Sequence, residues 1–150
     1  MGISPKISLI TPCFNSEKTL EKTLQSVSDQ NFEEWEVIIV NDGSTDGTEE
    51  IALKWVQKDP RFKYFYKENG GLGKARNYGI ERATGTYILP LDSDNLVAKN
   101  FAKKAIKVFE KRVDVGVWCQ NCFSDQNLTV KLQVLHIFLS LVLGLIALMP

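Results

Sequence analysis

The segment Glu36-Val37-Ile38-Ile39-Val40 narrows the fold more than any other part of the chain. A strand with water on one face alternates apolar and polar residues. A near-continuous apolar run of this length is expected of a strand covered on both faces. Such strands belong to parallel sheets, because the crossover that returns the chain to the same end of the sheet lays a helix across one face.

The rest of the sequence supplies those crossovers. Residues 7–10 read as a first strand and 17–30 as a helix, with Leu20, Leu24 and Val27 on one side and Asn15 or Ser16 as its cap. After the 36–40 strand, a helix is expected over 45–58. Asp46 and Glu49 offer a capping-box-like start, and Ile51 and Trp55 its inner face. Residues 62–67 form a third strand, and 72–83 a third helix closed by Gly85. A fourth strand covers 86–91, a fourth helix 99–112 with Phe101 and Ala105 inward, and a fifth strand 115–119. Right-handed crossovers then give an α/β, mostly parallel, Rossmann-like sheet with helices on both faces.

Ligands of such sheets bind in the crevice beyond the carboxyl ends of the strands. The unusual polar clusters fall there. Pro12-Cys13-Phe14-Asn15 follows the first strand, Asn41-Asp42-Gly43-Ser44 the second, Asn69-Gly70-Gly71 the third and Asp92-Ser93-Asp94 the fourth. Two carboxylates one residue apart at the end of a buried strand are costly without a counter-ion. A divalent cation carrying a phosphorylated ligand supplies one, since Mg2+ and Mn2+ take one or two carboxylates plus ligand phosphates. Other phosphate-binding designs fail on their glycines. The turn Thr11-Pro12-Cys13-Phe14-Asn15 has none, which excludes a dinucleotide fingerprint, and Gly73-Lys74 is followed by Ala75 rather than Ser or Thr, which excludes a P-loop.

Lys plus Arg and Asp plus Glu balance at 18 each, so no basic excess suggests a nucleic-acid partner. The three cysteines, Cys13, Cys119 and Cys122, form no metal-binding pattern with the single histidine, His136, and no secretory signal precedes them. Reduced thiols and a cytoplasmic location are expected. Residues 132–149 are dominated by Leu, Ile, Val and Phe. Eighteen residues reach the lower limit for a membrane span, and three readings stay open: a buried terminal helix, a membrane anchor, and an abnormal end to a longer protein.

With these clusters in view, the chain resembles the nucleotide-binding half of the family 2 glycosyltransferases, which have the GT-A fold. The resemblance rests on Ile7-Ser8-Leu9-Ile10-Thr11-Pro12-Cys13-Phe14-Asn15, on Val40-Asn41-Asp42-Gly43-Ser44-Thr45-Asp46 and on Lys74-Ala75-Arg76-Asn77-Tyr78-Gly79-Ile80. Gly85 through Asp94 completes it. It implies a truncated GT-A unit, with residues 1–127 as a nucleotide-sugar-binding half-domain and 128–150 as an apolar segment. The implied ligand is a nucleotide diphosphate sugar, commonly uridine-linked, held with Mn2+ or Mg2+. Pro12, Phe14 and Asn15 would lie under or beside base and ribose, with Phe14 stacked on the pyrimidine, and Asp42 would accept a hydrogen bond from the base. Lys74 and Arg76 would meet the base or the diphosphate. Asp94 would ligate the metal directly, with Asp92 as a ribose contact or an indirect metal contact and Ser93 between them in the donor site. The family pattern often continues with a further aspartate where this chain has Asn95.

The resemblance also implies inverting transfer to an acceptor hydroxyl on a glycan, lipid or protein, which requires a general base. The family draws that carboxylate from beyond the D-x-D, so the catalytic base is expected outside this chain. The pattern fades near residue 128, where Asp125 is the last carboxylate. A truncation or frame change near residue 130 is therefore expected. The competing reading is a catalytically incomplete module that only binds the nucleotide sugar or associates with a membrane or partner.

Overall fold

A computed structural model describes residues 4–111. The elements are β1 (Ile7–Cys13), α1 (Leu20–Ser28), β2 (Trp35–Asp42), α2 (Thr48–Lys58), β3 (Phe62–Lys67), α3 (Leu72–Ile80), β4 (Tyr87–Pro90) and α4 (Phe101–Lys111). The chain divides into two compact units between Ile106 and Lys107, and the sheet lies wholly in the first. The expected fifth strand, the boundary near residue 127 and the apolar 132–149 stretch lie outside the described residues. Among those residues no helix is long and apolar enough to cross a membrane.

The four strands are all parallel, in the order β3-β2-β1-β4. Every residue of β1 and β2 is buried, as the apolar run requires. Alternate residues feed two layers. Ile10, Ile38 and Val40 meet α3 through Ala75 and the Ala83 turn. On the opposite face Trp35 packs edge-on to Phe62 at 5.4 Å, and Trp55 of α2 lies 5.0 Å from Phe62. Glu21 of α1 accepts a hydrogen bond from Trp55 Nε1 at 3.0 Å, joining α1 to α2. Leu20, Leu24 and Val27 are buried as their spacing predicts; on α2 Trp55 is buried and Ile51 half-buried.

β1 runs three residues past its expected end, pairing Pro12 with Val40 and Cys13 with Asn41. Its pairing with β4 stops earlier, at Ile10 and Pro90. The last link is Leu91 N donating to Ile10 O at 2.9 Å; the next would come from residue 12, where proline has no N–H. The sheet therefore opens between β1 and β4. This is also where strand order reverses, the position at which open α/β sheets bind ligands.

Two expectations about helix ends change. Neither Asn15 nor Ser16 caps α1; the N-cap is Thr19, with no side-chain cap bond, and Thr19 N and Leu20 N donate instead to the Ser16 carbonyl. Gly85 does not close α3, which ends at Ile80. A Cβ at Gly85 would lie 2.7 Å from Ser8 Oγ and 2.8 Å from Ser8 N, so this glycine lets the chain enter β4 against β1.

Glu36, the polar exception in the apolar run, is 3% exposed. Its Oε1 accepts from Ser8 Oγ (2.6 Å), Thr84 N (2.6 Å) and Thr84 Oγ1 (2.9 Å), and its Oε2 from Lys63 Nζ (2.6 Å). Burial pushes its pKa up, but the bonds from Lys63, Ser8 and Thr84 outweigh it and hold the carboxyl below its ordinary value. With a folded pKa below the unfolded one, the group contributes stability that is present above the ordinary value of 4.5 and is lost as pH falls through the folded value. Glu36→Gln should therefore flatten the acid limb of the stability–pH profile below that value, measured by urea unfolding at stepped pH; an unchanged limb would refute this role. At Gly79 an added Cβ would lie 2.5 Å from Ile10 Cγ2 and 3.1 Å from Val40 Cγ2. Gly79→Val should destabilise the domain by about 3 kcal/mol through overpacking, read from denaturant midpoints.

Candidate functional site

The ends of β1, β2 and β4 and the start of α3 enclose a cavity of about 640 Å³. Its lining brings together Pro12, Phe14, Asn15, Asp42, Asp92, Ser93 and Asp94, all expected there from sequence. Cys13, Ser16, Thr19, Asn69, Gly71, Leu72 and Ala75 complete it. Lys74 and Arg76 are not part of the lining. Lys74 is exposed, its chain passing the Gly70 turn. Arg76 Nη2 pairs with Asp92 Oδ1 at 2.5 Å, while its Nε is buried without a hydrogen-bond partner.

The loop after β1 owes its shape to Asn15, whose backbone adopts φ 51°. Asparagine tolerates this left-handed conformation better than most residues. Its Oδ1 accepts from Thr45 N at 2.9 Å, and its own N–H donates to Ser44 Oγ at 3.0 Å. Asp46 braces the same loop, accepting from Glu17 N (3.1 Å) and Thr48 N (3.0 Å). The Asp46 bond to Thr48 N supports the start of α2, although the capping-box partner is Glu17, which accepts from Gly47 N at 2.9 Å, rather than Glu49. These ties leave Phe14 presented outward, 54% exposed at the cavity. Across the β1–β4 opening, Ser16 Oγ lies 2.8 Å from Ser93 Oγ, and Thr23 Oγ1 donates to the Ser93 carbonyl at 2.9 Å. Ser93 thus anchors the D-x-D turn to α1.

The aspartates of the site differ sharply in environment. Asp42 is 3% exposed. Burial raises its pKa, yet Lys67 and the amides of Gly70 and Gly71 outweigh that and hold it below the usual carboxylate range. Asp92 is half-exposed and paired with Arg76. Asp94 is exposed, with no hydrogen-bond or ionic partner among the described residues. The nearby Cys13 thiol is pushed up to about 12 by burial and by the charge of Asp46, so it stays protonated and inert.

No group of three or more His, Cys, Asp or Glu side chains clusters among the described residues, so the chain builds no all-protein metal cage there. A free Asp94 and an Asp92 with one oxygen uncommitted do fit a cation whose remaining ligands are phosphate oxygens and waters.

Comparison with known proteins agrees with this geometry. The model of the family described as Glycosyl transferase family 2 matches residues 8–143, and the chain belongs to that family. Glycosyltransferase GlyA of Streptococcus pneumoniae is 36% identical over 128 residues, 85% of this chain and 18% of the relative. The putative teichuronic acid biosynthesis glycosyltransferase TuaG of Bacillus subtilis is 41% identical over 109 residues, 72% of this chain and 43% of the relative. The chain therefore spans less than half the length of these relatives. Among solved structures, Staphylococcus aureus TarS in complex with UDP-GlcNAc has a TM-score of 0.68 at 35% identity, covering 75% of this chain and 32% of that one. The mannosyltransferase PcManGT of Pyrobaculum calidifontis, in complex with GDP-Man and Mn2+, has a TM-score of 0.69 at 27% identity, covering 75% and 34%. The sheet is of the GT-A type.

Sequence reasoning missed Lys67, which binds Asp42, and the lining residue Leu72. Nothing in the spacing distinguishes Lys67 from other strand-end lysines, and Leu72 reads as ordinary helix. Asn15→Ala should lower stability by about 1–2 kcal/mol, combining a lost hydrogen bond with an unfavourable left-handed alanine. Thermal unfolding measures this, and an unchanged midpoint would show that Thr45 does not hold the loop.

Proposed function

We propose that this domain binds a uridine diphosphate sugar together with Mn2+ or Mg2+ and serves as the donor-binding part of an inverting transferase that passes the sugar to an acceptor hydroxyl. One observation carries the reading: a single cavity is lined both by an exposed aromatic with a buried aspartate and by the D-x-D turn. The first pair suits a nucleobase and the second a metal–diphosphate, and a nucleotide sugar contains both. That TarS is solved with UDP-GlcNAc and PcManGT with GDP-Man and Mn2+ supports the same assignment.

In this reading Phe14 stacks on the base and Asp42 accepts its ring N–H. Asp94 is the direct metal ligand, and Asp92, oriented by Arg76 and by the Ser93 anchor, makes the ribose contact or an indirect contact to the metal. Pro12 and Asn15 shape the floor beside base and ribose. Lys74 and Arg76 contribute positive charge near the start of α3, where the helix dipole also favours anions. When bound, the cation neutralises charge on the departing nucleoside diphosphate. The acceptor hydroxyl must lose its proton on the opposite face of the sugar. Asp42, Asp92 and Asp94 are committed to donor and metal, so that base is assigned to residues outside the described ones. The proposed location is the cytoplasm.

Titration calorimetry with UDP, with and without Mn2+, tests the reading. Mn2+ should tighten UDP binding, and Asp94→Ala should remove about tenfold or more of that gain, the scale of a lost charged interaction. Asp42→Ala should weaken UDP with the Mn2+ dependence retained. UDP binding indifferent to Mn2+, or a metal effect unchanged in Asp94→Ala, would defeat the assignment.

A further inference from the structure

Asp42 is held from three directions by one segment of its own chain. The β2–β3 register sets Lys67 beside it as the last pair of the ladder. The Lys67 ammonium donates to Asp42 Oδ1 and to the Glu68 carbonyl. Gly70 N donates to the same Oδ1 at 3.0 Å, and Gly71 N donates to Oδ2 at 2.8 Å. An ionised carboxylate offers about four lone-pair positions, two on each oxygen. Oδ1 has both filled and Oδ2 has one filled. One acceptor position remains, on Oδ2, in a carboxylate that lines the cavity.

We propose that Lys67 is a positioning residue that makes Asp42 a single-acceptor reader of the nucleobase, and so sets a preference for uracil over guanine. The inference rests on the donor-site reading above and adds the basis of nucleotide choice. Uracil presents one ring N–H between two carbonyls and asks for one acceptor. Guanine presents N1–H and an exocyclic N2–H side by side, and a carboxylate reads that edge with both oxygens at once. Here Oδ1 cannot serve as the second acceptor without giving up the ammonium or the Gly70 amide. Either exchange gives up a bond donated to a carboxylate that is only 3% exposed, and binding sites discriminate on such losses. Turning the carboxylate does not help, because its two oxygens are held by consecutive amides, and Gly71 sits at φ 88°, a conformation that favours glycine. Phe14 does not discriminate, since every base has a face on which to stack. The choice therefore falls to Asp42 and to the lysine that occupies half of it.

Equilibrium binding of UDP and of GDP, each with Mn2+, to the whole chain tests this in the wild type, Lys67→Met and Lys67→Arg. The wild type should favour UDP by about tenfold or more. Lys67→Met should compress the ratio to within about threefold, and Lys67→Arg should keep most of it. A lysine that only stabilised the fold would weaken both nucleotides alike and leave the ratio unmoved. An unmoved ratio in a folded Lys67→Met, or a wild type that takes GDP as tightly as UDP, overturns the proposal. Should Lys67→Met fail to fold by circular dichroism, Lys67→Gln, whose amide keeps N–H donors but no charge, is read against the same ratio. Metal-dependent UDP binding with an unmoved ratio sinks this inference alone. Failure of both nucleotides to bind sinks the donor-site reading and this one with it.

Discussion

The parallel placement of β1 between β2 and β4 is the constraint from which the rest follows. Because the four described strands run one way, the chain leaves each of them at the same edge of the sheet. Side chains distant in sequence are gathered there without any need for contact between the helices that separate them. Proline at residue 12 then decides where the gathered side chains find room. It withholds the donor that would continue the β1–β4 ladder, and the sheet parts at the place where its strand order reverses.

Charge is arranged along the same axis. At the amino edge Glu36 is buried and bonded on both oxygens. At the carboxyl edge of the same strand Asp42 is equally buried but keeps one acceptor position, Asp92 has one oxygen committed, and Asp94 is free among the described residues. A buried carboxylate is tolerated in proportion to the donors around it. This gradient separates carboxylates that hold the fold from those that can meet a ligand. The same logic applies to Cys13 in the cavity lining: burial and the neighbouring negative charge both oppose its thiolate.

Much of this was legible in the sequence, and the limits have physical causes. The residue period marks β3 at both its ends and gives the buried face of α1, because burial on one or both sides leaves a direct trace in residue type. The clusters after the strands come together along one cavity, since turn chemistry alone does not place an aromatic and several aspartates at one sheet edge. Pro12 and Cys13 look like loop in the sequence, because a proline in a strand is excluded only where its missing donor is needed, and register alone reveals that. Asn15 resembles a cap of α1 in the sequence but spends its side chain on Thr45, across thirty residues of sequence. The pairing of Arg76 with Asp92 has no trace in the sequence, because it depends on strand order and not on spacing.

Gly79 carries a mechanical consequence. With no side chain between this part of α3 and the methyl groups of Ile10 and Val40, helix and sheet meet almost backbone to side chain, and those methyl groups set the separation of the two layers. The span between Lys67 and Leu72, which leads into that helix, is tied through the bonds that the Gly70 and Gly71 amides donate to the Asp42 carboxylate. The start of α3, and with it one side of the cavity, is thereby located twice over: by the carboxylate of Asp42 at its entry and by the sheet beneath Gly79.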